Sequence, residues 1–182
     1  MNKRDMYYPD LITTLKYNDK RGYFEKVFPL ENSNIRNESF SIKQINKSYS
    51  TQKGTIRGMH YQRTPYAEGK LIYCLKGAVC DVIVDIRTNS ESYLHVSYTE
   101  ISESKNSIIY IPPGFAHGFQ TLTENCELLY IHDTEYMPKF EDVINPLDAR
   151  LNIKWPLKLS MISDRDLNAK GINEMCRYQN DM

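Results

Sequence analysis

The sequence predicts an all-β domain, a jelly roll closed by antiparallel strands, and three observations predict it. From Gly54 onward, short runs rich in β-branched and aromatic residues follow one another almost without a gap. Turn signals at Lys76-Gly77, Thr88-Asn89-Ser90, Glu103-Ser104-Lys105-Asn106 and Pro112-Pro113-Gly114 separate them at the spacing of a sandwich or barrel. No long helical periodicity interrupts these runs, and 182 residues suit a single domain, 1–182, with short terminal arms.

In chain order, residues 1–20 read as an extended arm with a short strand at Leu11-Ile12-Thr13-Thr14-Leu15. Asp19-Lys20-Arg21-Gly22 is a turn, and Tyr23 to Phe28 is the next strand. Pro29 to Glu38 is polar and Asn-rich, hence a loop or a poor helix. Phe40 to Tyr49 alternates as a strand, with Gln44, Asn46 and Ser48 on one face and Lys43, Ile45 and Lys47 on the other. The expected core strands are Thr55–Gln62, Lys70–Lys76, Ala78–Ile86, Leu94–Ile101, Ser107–Ile111, Gly118–Thr121 and Cys126–His132. Residues 139–182 hold acidic turns, a Trp155-Pro156 element and a short C-terminal helix.

Lys plus Arg and Asp plus Glu both total 23, so no global field recruits nucleic acid or an anionic membrane. An anionic ligand must be gripped locally. Cys74, Cys80, Cys126 and Cys176 show no CxxC spacing, and the first three sit in apolar runs, which points to a reducing cytoplasm. The N-terminus lacks an apolar signal region, and no run is long enough to span a bilayer.

Two stretches concentrate chemistry. Gly54 to Lys70, GTIRGMHYQRTPYAEGK, places Arg57, His60, Gln62, Arg63 and Lys70 around a turn at Thr64–Gly69. On a strand His60 and Gln62 share a face. Arg57 has the opposite parity, so it reaches the same pocket as His60 only if Gly58 permits a bulge or twist. The second stretch, Ile111-Pro112-Pro113-Gly114-Phe115-Ala116-His117-Gly118-Phe119, fixes a turn with proline and glycine and delivers His117 at a strand start. Taken alone, these residues have plainer readings: a solvated hairpin with incidental charges, a satisfied core tyrosine at Tyr130, a surface acid at a helix start for Asp166.

The second stretch resembles the second motif of the cupin superfamily. Many cupins bind a divalent metal through an H-x-H pair, a following glutamate and that later histidine. Here the pair reads His60-Tyr61-Gln62, and Lys70 stands where the carboxylate would be, so an ammonium would repel the ion and no metal is expected.

More specifically, the chain is similar to the dTDP-4-dehydrorhamnose 3,5-epimerase family of nucleotide-sugar epimerases. The likeness runs through Asp19-Lys20-Arg21-Gly22-Tyr23-Phe24-Glu25, Ile56-Arg57-Gly58-Met59-His60-Tyr61-Gln62, Gly69-Lys70-Leu71 and Asp81 to Arg87. It continues in Ile111 to Phe119, Leu129-Tyr130, Ile153-Lys154-Trp155-Pro156 and Ser163-Asp164-Arg165-Asp166. It implies a cupin jelly roll acting on a nucleotide-diphospho-4-keto-6-deoxy sugar, with no cofactor. His60 matches the base, Asp166 the acid orienting it, Lys70 the lysine at the 4-keto oxygen and Tyr130 the acid of the opposite ring face. Arg57 matches an arginine on the pyrophosphate and His117 a histidine lining the sugar pocket. Arg21 and Glu25 match residues in the N-terminal region, 1–50, that family dimers exchange, so a homodimer is expected. Gln44, Asn46, Tyr136 and Tyr17 complete the candidate substrate contacts, Tyr17 at a position where the family often sets an aromatic residue against the base.

Departures qualify the carrier. Where the family shows two adjacent tyrosines, this chain has Glu135-Tyr136, and Ile131-His132 replaces the usual lysine. A GDP- or CDP-linked sugar, or a 4-keto heptose, stays open, as does inversion at C3, C5 or both. Two rival readings also stand: a 3,4-ketoisomerase in the same superfold, and a non-catalytic cupin that binds nucleotide sugars.

Overall fold

The computed structural model describes residues 9–28 and 40–172. The first eight residues of the arm, the loop expected at Pro29 to Glu38 and Cys176 lie outside the described residues. The described chain forms β1 (Asp10–Thr13), β2 (Leu15–Asp19), β3 (Gly22–Lys26), β4 (Gln44–Ser50), β5 (Ile56–Gln62) and β6 (Lys70–Lys76). It continues with β7 (Ala78–Asp85), β8 (Val96–Ser102), β9 (Ser107–Ile111), β10 (Phe115–Thr121), β11 (Cys126–His132), β12 (Glu141–Val143) and the short helix α1 (Asp164–Leu167).

Two five-stranded antiparallel sheets face each other, one ordered β1-β9-β6-β11-β4 and the other β12-β5-β10-β7-β8, while β2 and β3 form a separate hairpin. This is the jelly roll that the strand spacing predicts. The expected strands of the core all form, three with the expected ends and four with shifted ones. Leu11 to Leu15 is the exception: it divides at Thr14, whose N–H donates to the Asn106 carbonyl and whose hydroxyl donates to Glu25. β12 pairs with β5 although its Glu-Asp-Val sequence has no strand pattern of its own. The C-terminal helix is a single turn, capped where the Ser163 hydroxyl accepts from the Asp166 N–H.

Alternation of side chains explains how one strand serves both core and cavity. Along the inner face, β11 presents Cys126 and Leu128 and then Tyr130 and His132, while β6 presents Cys74 and Ile72 and then Lys70. β10 likewise alternates Phe115, His117 and Phe119. One end of the inter-sheet space is therefore packed by Ile72, Val79, Ile83, Ile101, Ile109, Ile111 and Leu128, and the other is polar. Each fully buried leucine or isoleucine contributes roughly 1.5–3 kcal/mol, so the apolar end carries the fold and leaves the polar end free for function.

The parity conflict between Arg57 and His60 is resolved at Gly58. His117 faces His60 and Phe119 faces Arg57, so two residues of β5, Gly58 and Met59, oppose Gly118 alone on β10. Gly58 takes φ of 130°, and a Cβ there would lie 2.5 Å from the Gly118 Cα. Any side chain at Gly58 would force the two strands apart and undo the register that aims both residues at the cavity.

Candidate active site

The polar end forms a cavity of about 270 Å³ whose wall includes Gln44, Asn46, Arg57, His60, Lys70, His117, Tyr130 and Tyr136. His60 comes from β5 and Tyr130 from β11, so imidazole and phenol stand on opposite sheets across one space. Asp166 stands behind His60, with its Oδ1 2.8 Å from the ring Nε2. Its Oδ2 accepts from the Gly58 N–H at 3.2 Å, tying α1 to the bulge in β5. Burial would raise the Asp166 carboxyl, but the His60 hydrogen bond and charge outweigh it and hold the group below its ordinary value. An ionised carboxylate only accepts, so in the neutral ring Nε2 carries the hydrogen and Nδ1 carries the lone pair a base needs.

A second pair lies deeper. His117 Nε2 is 2.7 Å from Asp81 Oδ2, with the acid supplied by the neighbouring strand β7. Burial pushes the His117 ring below its ordinary value in spite of Asp81, so the ring is neutral and donates to the carboxylate. His117 and Tyr130 meet edge to face at 6.3 Å, and Tyr130 stacks with His132 at 6.1 Å. Burial also raises the Tyr130 phenol, whose hydroxyl pairs with Ser48, so it stays protonated at neutral pH and has a proton to give.

Lys70 is almost wholly buried, and its Nζ lies 2.7 Å from Glu68 Oε1. Glu68 Oε2 is 2.9 Å from His132 Nδ1. Burial alone would raise the Glu68 carboxyl; Lys70 and then His132 reverse that and bring it to about 2. At the rim, Arg57 donates to the Ser50 hydroxyl at 3.0 Å and the Tyr49 carbonyl at 2.8 Å, which fixes an exposed guanidinium beside the cavity. Tyr136 donates to Glu141 at 2.7 Å, and Arg165 donates to the same oxygen at 2.5 Å.

Three expected site residues lie elsewhere in this chain. Arg21 sits at the turn of the β2–β3 hairpin and pairs with its own neighbour Asp19 at 2.6 Å. Tyr17 is exposed on the same hairpin. Glu25 accepts from Tyr73 at 2.8 Å and from Thr14, and faces Lys16 at 3.8 Å. The hairpin pairs with neither sheet, which is why none of the three lines the cavity.

Gln62, at the second position of a cupin-like pair, is spent on backbone: its Oε1 accepts from Met137 N–H and its Nε2 donates to the Tyr66 and Glu135 carbonyls. His60 and His117 are bonded to carboxylates through Nε2 and His132 through Nδ1, and among the described residues no group of three or more His, Cys, Asp or Glu is placed to hold a metal. Sequence reasoning missed Glu68, Asp81 and Glu141. Asp81 carried a signal, an acid inside the apolar run Val79 to Val84 that burial obliges to find a partner. Glu68 stood only two residues from Lys70, in the turn before β6. Glu141 carried none.

The sequence model of the dTDP-4-dehydrorhamnose 3,5-epimerase family matches residues 9–174. The chain belongs to that family. A relative from Shigella flexneri, a dTDP-4-dehydrorhamnose 3,5-epimerase, is 38% identical over 158 residues, covering 85% of each chain. The crystal structure of the Bacillus anthracis dTDP-4-dehydrorhamnose 3,5-epimerase with TDP and PPi bound superposes with a TM-score of 0.85 at 32% identity, covering 90% of this chain and 93% of that one. A 3'-monoepimerase from Streptomyces bikiniensis, in complex with dTDP-quinovose, gives 0.84 at 29% identity, covering 95% and 88%. The cupin epimerase fold expected from the motifs is thereby borne out, and among the described residues no helix is long and apolar enough to cross a membrane.

Proposed function

We propose that this chain epimerises a nucleotide-diphospho-4-keto-6-deoxy sugar at C3, C5 or both. The observation that carries the reading is the placement of the His60–Asp166 pair and the Tyr130 phenol on opposing sheets across one cavity. The 4-keto group acidifies the neighbouring C–H bonds because the carbanion delocalises into an enolate. His60 takes the proton on one ring face, the Lys70 ammonium faces the enolate oxygen, and Tyr130 returns a proton from the other face, inverting the carbon. His117, held neutral by burial, lines the sugar pocket, with Gln44 and Asn46 on β4 beside it. Arg57 grips the pyrophosphate, which is how a chain of zero net charge holds an anionic ligand.

Thymidine is the first carrier to test, since the relatives are dTDP-sugar epimerases. The carrier binds toward Tyr136 and the exposed rim. Arg21, Glu25 and Tyr17 act in this reading from a partner's hairpin in a homodimer, where Arg21 is released to a phosphate and Tyr17 is set against the base. The exposed aromatics Tyr17, Tyr23 and Phe24 on that hairpin favour such a contact. Work in the cytoplasm fits the buried free thiols of Cys74 and Cys126.

Incubation with dTDP-, GDP- and CDP-linked 4-keto-6-deoxy sugars in deuterated water tests this directly. Deuterium at C3 and C5 with inversion supports a 3,5-epimerase, and deuterium at one carbon a single-centre enzyme. Migration of the keto group to C3 would establish a 3,4-ketoisomerase instead. Nucleotide-sugar binding without exchange would leave a binding module.

A further inference from the structure

Lys70, Glu68 and His132 form a buried line along the cavity wall that ordinary packing does not require. The side chains are 5%, 9% and 10% exposed, and Glu68 bridges the other two, one carboxylate oxygen to each. The fold brings them together: Glu68 lies two residues ahead of Lys70 in the segment entering β6, and His132 on β11 is the register partner of Lys70. Gln62 reaches Glu68 Oε2 at 3.4 Å. A lone buried ammonium loses its proton readily, because desolvation favours the neutral amine. A carboxylate at 2.7 Å reverses that and also fixes where the nitrogen points.

We infer that Glu68 and His132 are positioning residues that keep the Lys70 ammonium charged and aimed at the substrate's carbonyl oxygen. This rests on the epimerase reading above and deepens it. Glu68 holds the lysine, and His132 holds the second carboxylate oxygen so that the acid cannot swing into the cavity and meet the diphosphate. The groups facing Lys70 from other elements are His60 on β5, His117 on β10 with Asp81 of β7 behind it, and Tyr130 and His132 on β11. Asp133, whose carboxyl accepts from the Gly69 N–H at 2.7 Å, lies just beyond. Among these, only Glu68 forms a direct ion pair with the ammonium in the described residues.

The test is the pH profile of kcat/KM for solvent exchange, from about pH 6 to 9.5. Glu68→Gln keeps the shape and removes the anion. Its alkaline limb is expected to move down by roughly one to three pH units as Lys70 loses its proton more easily. Below that limb kcat should fall, because the ammonium has lost the carboxylate that aims it, while KM stays within about threefold of the parent. Glu68→Asp, which keeps the charge on a shorter stem, should leave the limb in place and lower kcat about fivefold or more without raising KM. His132→Asn, which leaves Glu68 charged, should shift the limb by less than about half a unit. An unmoved limb in Glu68→Gln overturns the inference; if that variant does not fold, an unaltered kcat in Glu68→Asp overturns it. Lys70→Met separates the two levels. Full exchange in Lys70→Met would sink the enolate reading itself, whereas lost exchange there beside an unmoved Glu68→Gln limb sinks only the positioning role.

Discussion

His60 and His117 are built from the same parts, an imidazole whose Nε2 lies 2.7–2.8 Å from a buried aspartate, yet the fold gives them different surroundings. His60 is 35% exposed toward the cavity, and its acid arrives from a helix after β12, far along the chain. His117 is 6% exposed, and its acid comes from the adjacent strand. Burial therefore holds His117 neutral as a wall and hydrogen-bond donor, whereas His60 meets the cavity with a free ring nitrogen backed by an anion. The pairing itself does not make a base. Access to the substrate does.

The contrast can be broken by exchanging the members of each pair. The largest effect is expected from His60→Asn, which should lower deuterium incorporation by roughly 10³–10⁴-fold while nucleotide affinity, by calorimetry, holds within a few-fold. Asp166→Asn should follow, with a loss of on the order of 10²-fold or more, because a carboxamide no longer dictates which ring nitrogen carries the hydrogen. Asp81→Asn, the matching change at the other pair, should cost less than about tenfold in exchange and instead about 1–3 kcal/mol of stability in urea. Equal kinetic losses in the two aspartate variants would mean that both histidines act on the substrate.

A smaller effect separates the pairs by pH. A histidine held neutral in the fold binds fewer protons folded than unfolded, so its contribution is present above the unfolded value near about 6.5 and is lost as pH falls through the depressed folded value. Thermal midpoints of the parent should drop between about pH 7 and 5 more steeply than those of His117→Gln. Asp166, whose folded value is also depressed, should act only at more acid pH, losing its contribution below the ordinary carboxylate range. Parallel curves for parent and His117→Gln would remove the burial argument.

The sequence made most of this readable, and the gaps have physical causes. The β-branched and aromatic runs over Lys70–Lys76, Ser107–Ile111 and Cys126–His132 reproduce β6, β9 and β11, because these strands meet a dry core on one face or on both. β12 escaped because its three residues are strand only by virtue of β5 beside them. The bulge at Gly58 was foreseeable from the conflicting parity of Arg57 and His60, and the register bears it out. His60, Lys70, His117 and Tyr130 stood out through motif and resemblance. Glu68 and Asp81 did not, because acids two residues from a lysine or within a strand read as surface charge until topology puts a lysine and a histidine against them. Arg21, Glu25 and Tyr17 show the converse: the likeness to the family names them for the site, and the fold sets them on a hairpin away from this chain's cavity.

The claim on which the rest depends is that a proton leaves the sugar toward one sheet and returns from the other. Tyr130→Phe, followed by proton NMR in deuterated water with dTDP-4-keto-6-deoxyglucose, measures removal and inversion separately. Deuterium should still enter C3 or C5 with retained configuration at a rate within about tenfold of the parent, while the inverted sugar forms at least ~10²-fold more slowly. Exchange and inversion falling by the same factor, or neither falling, would contradict it.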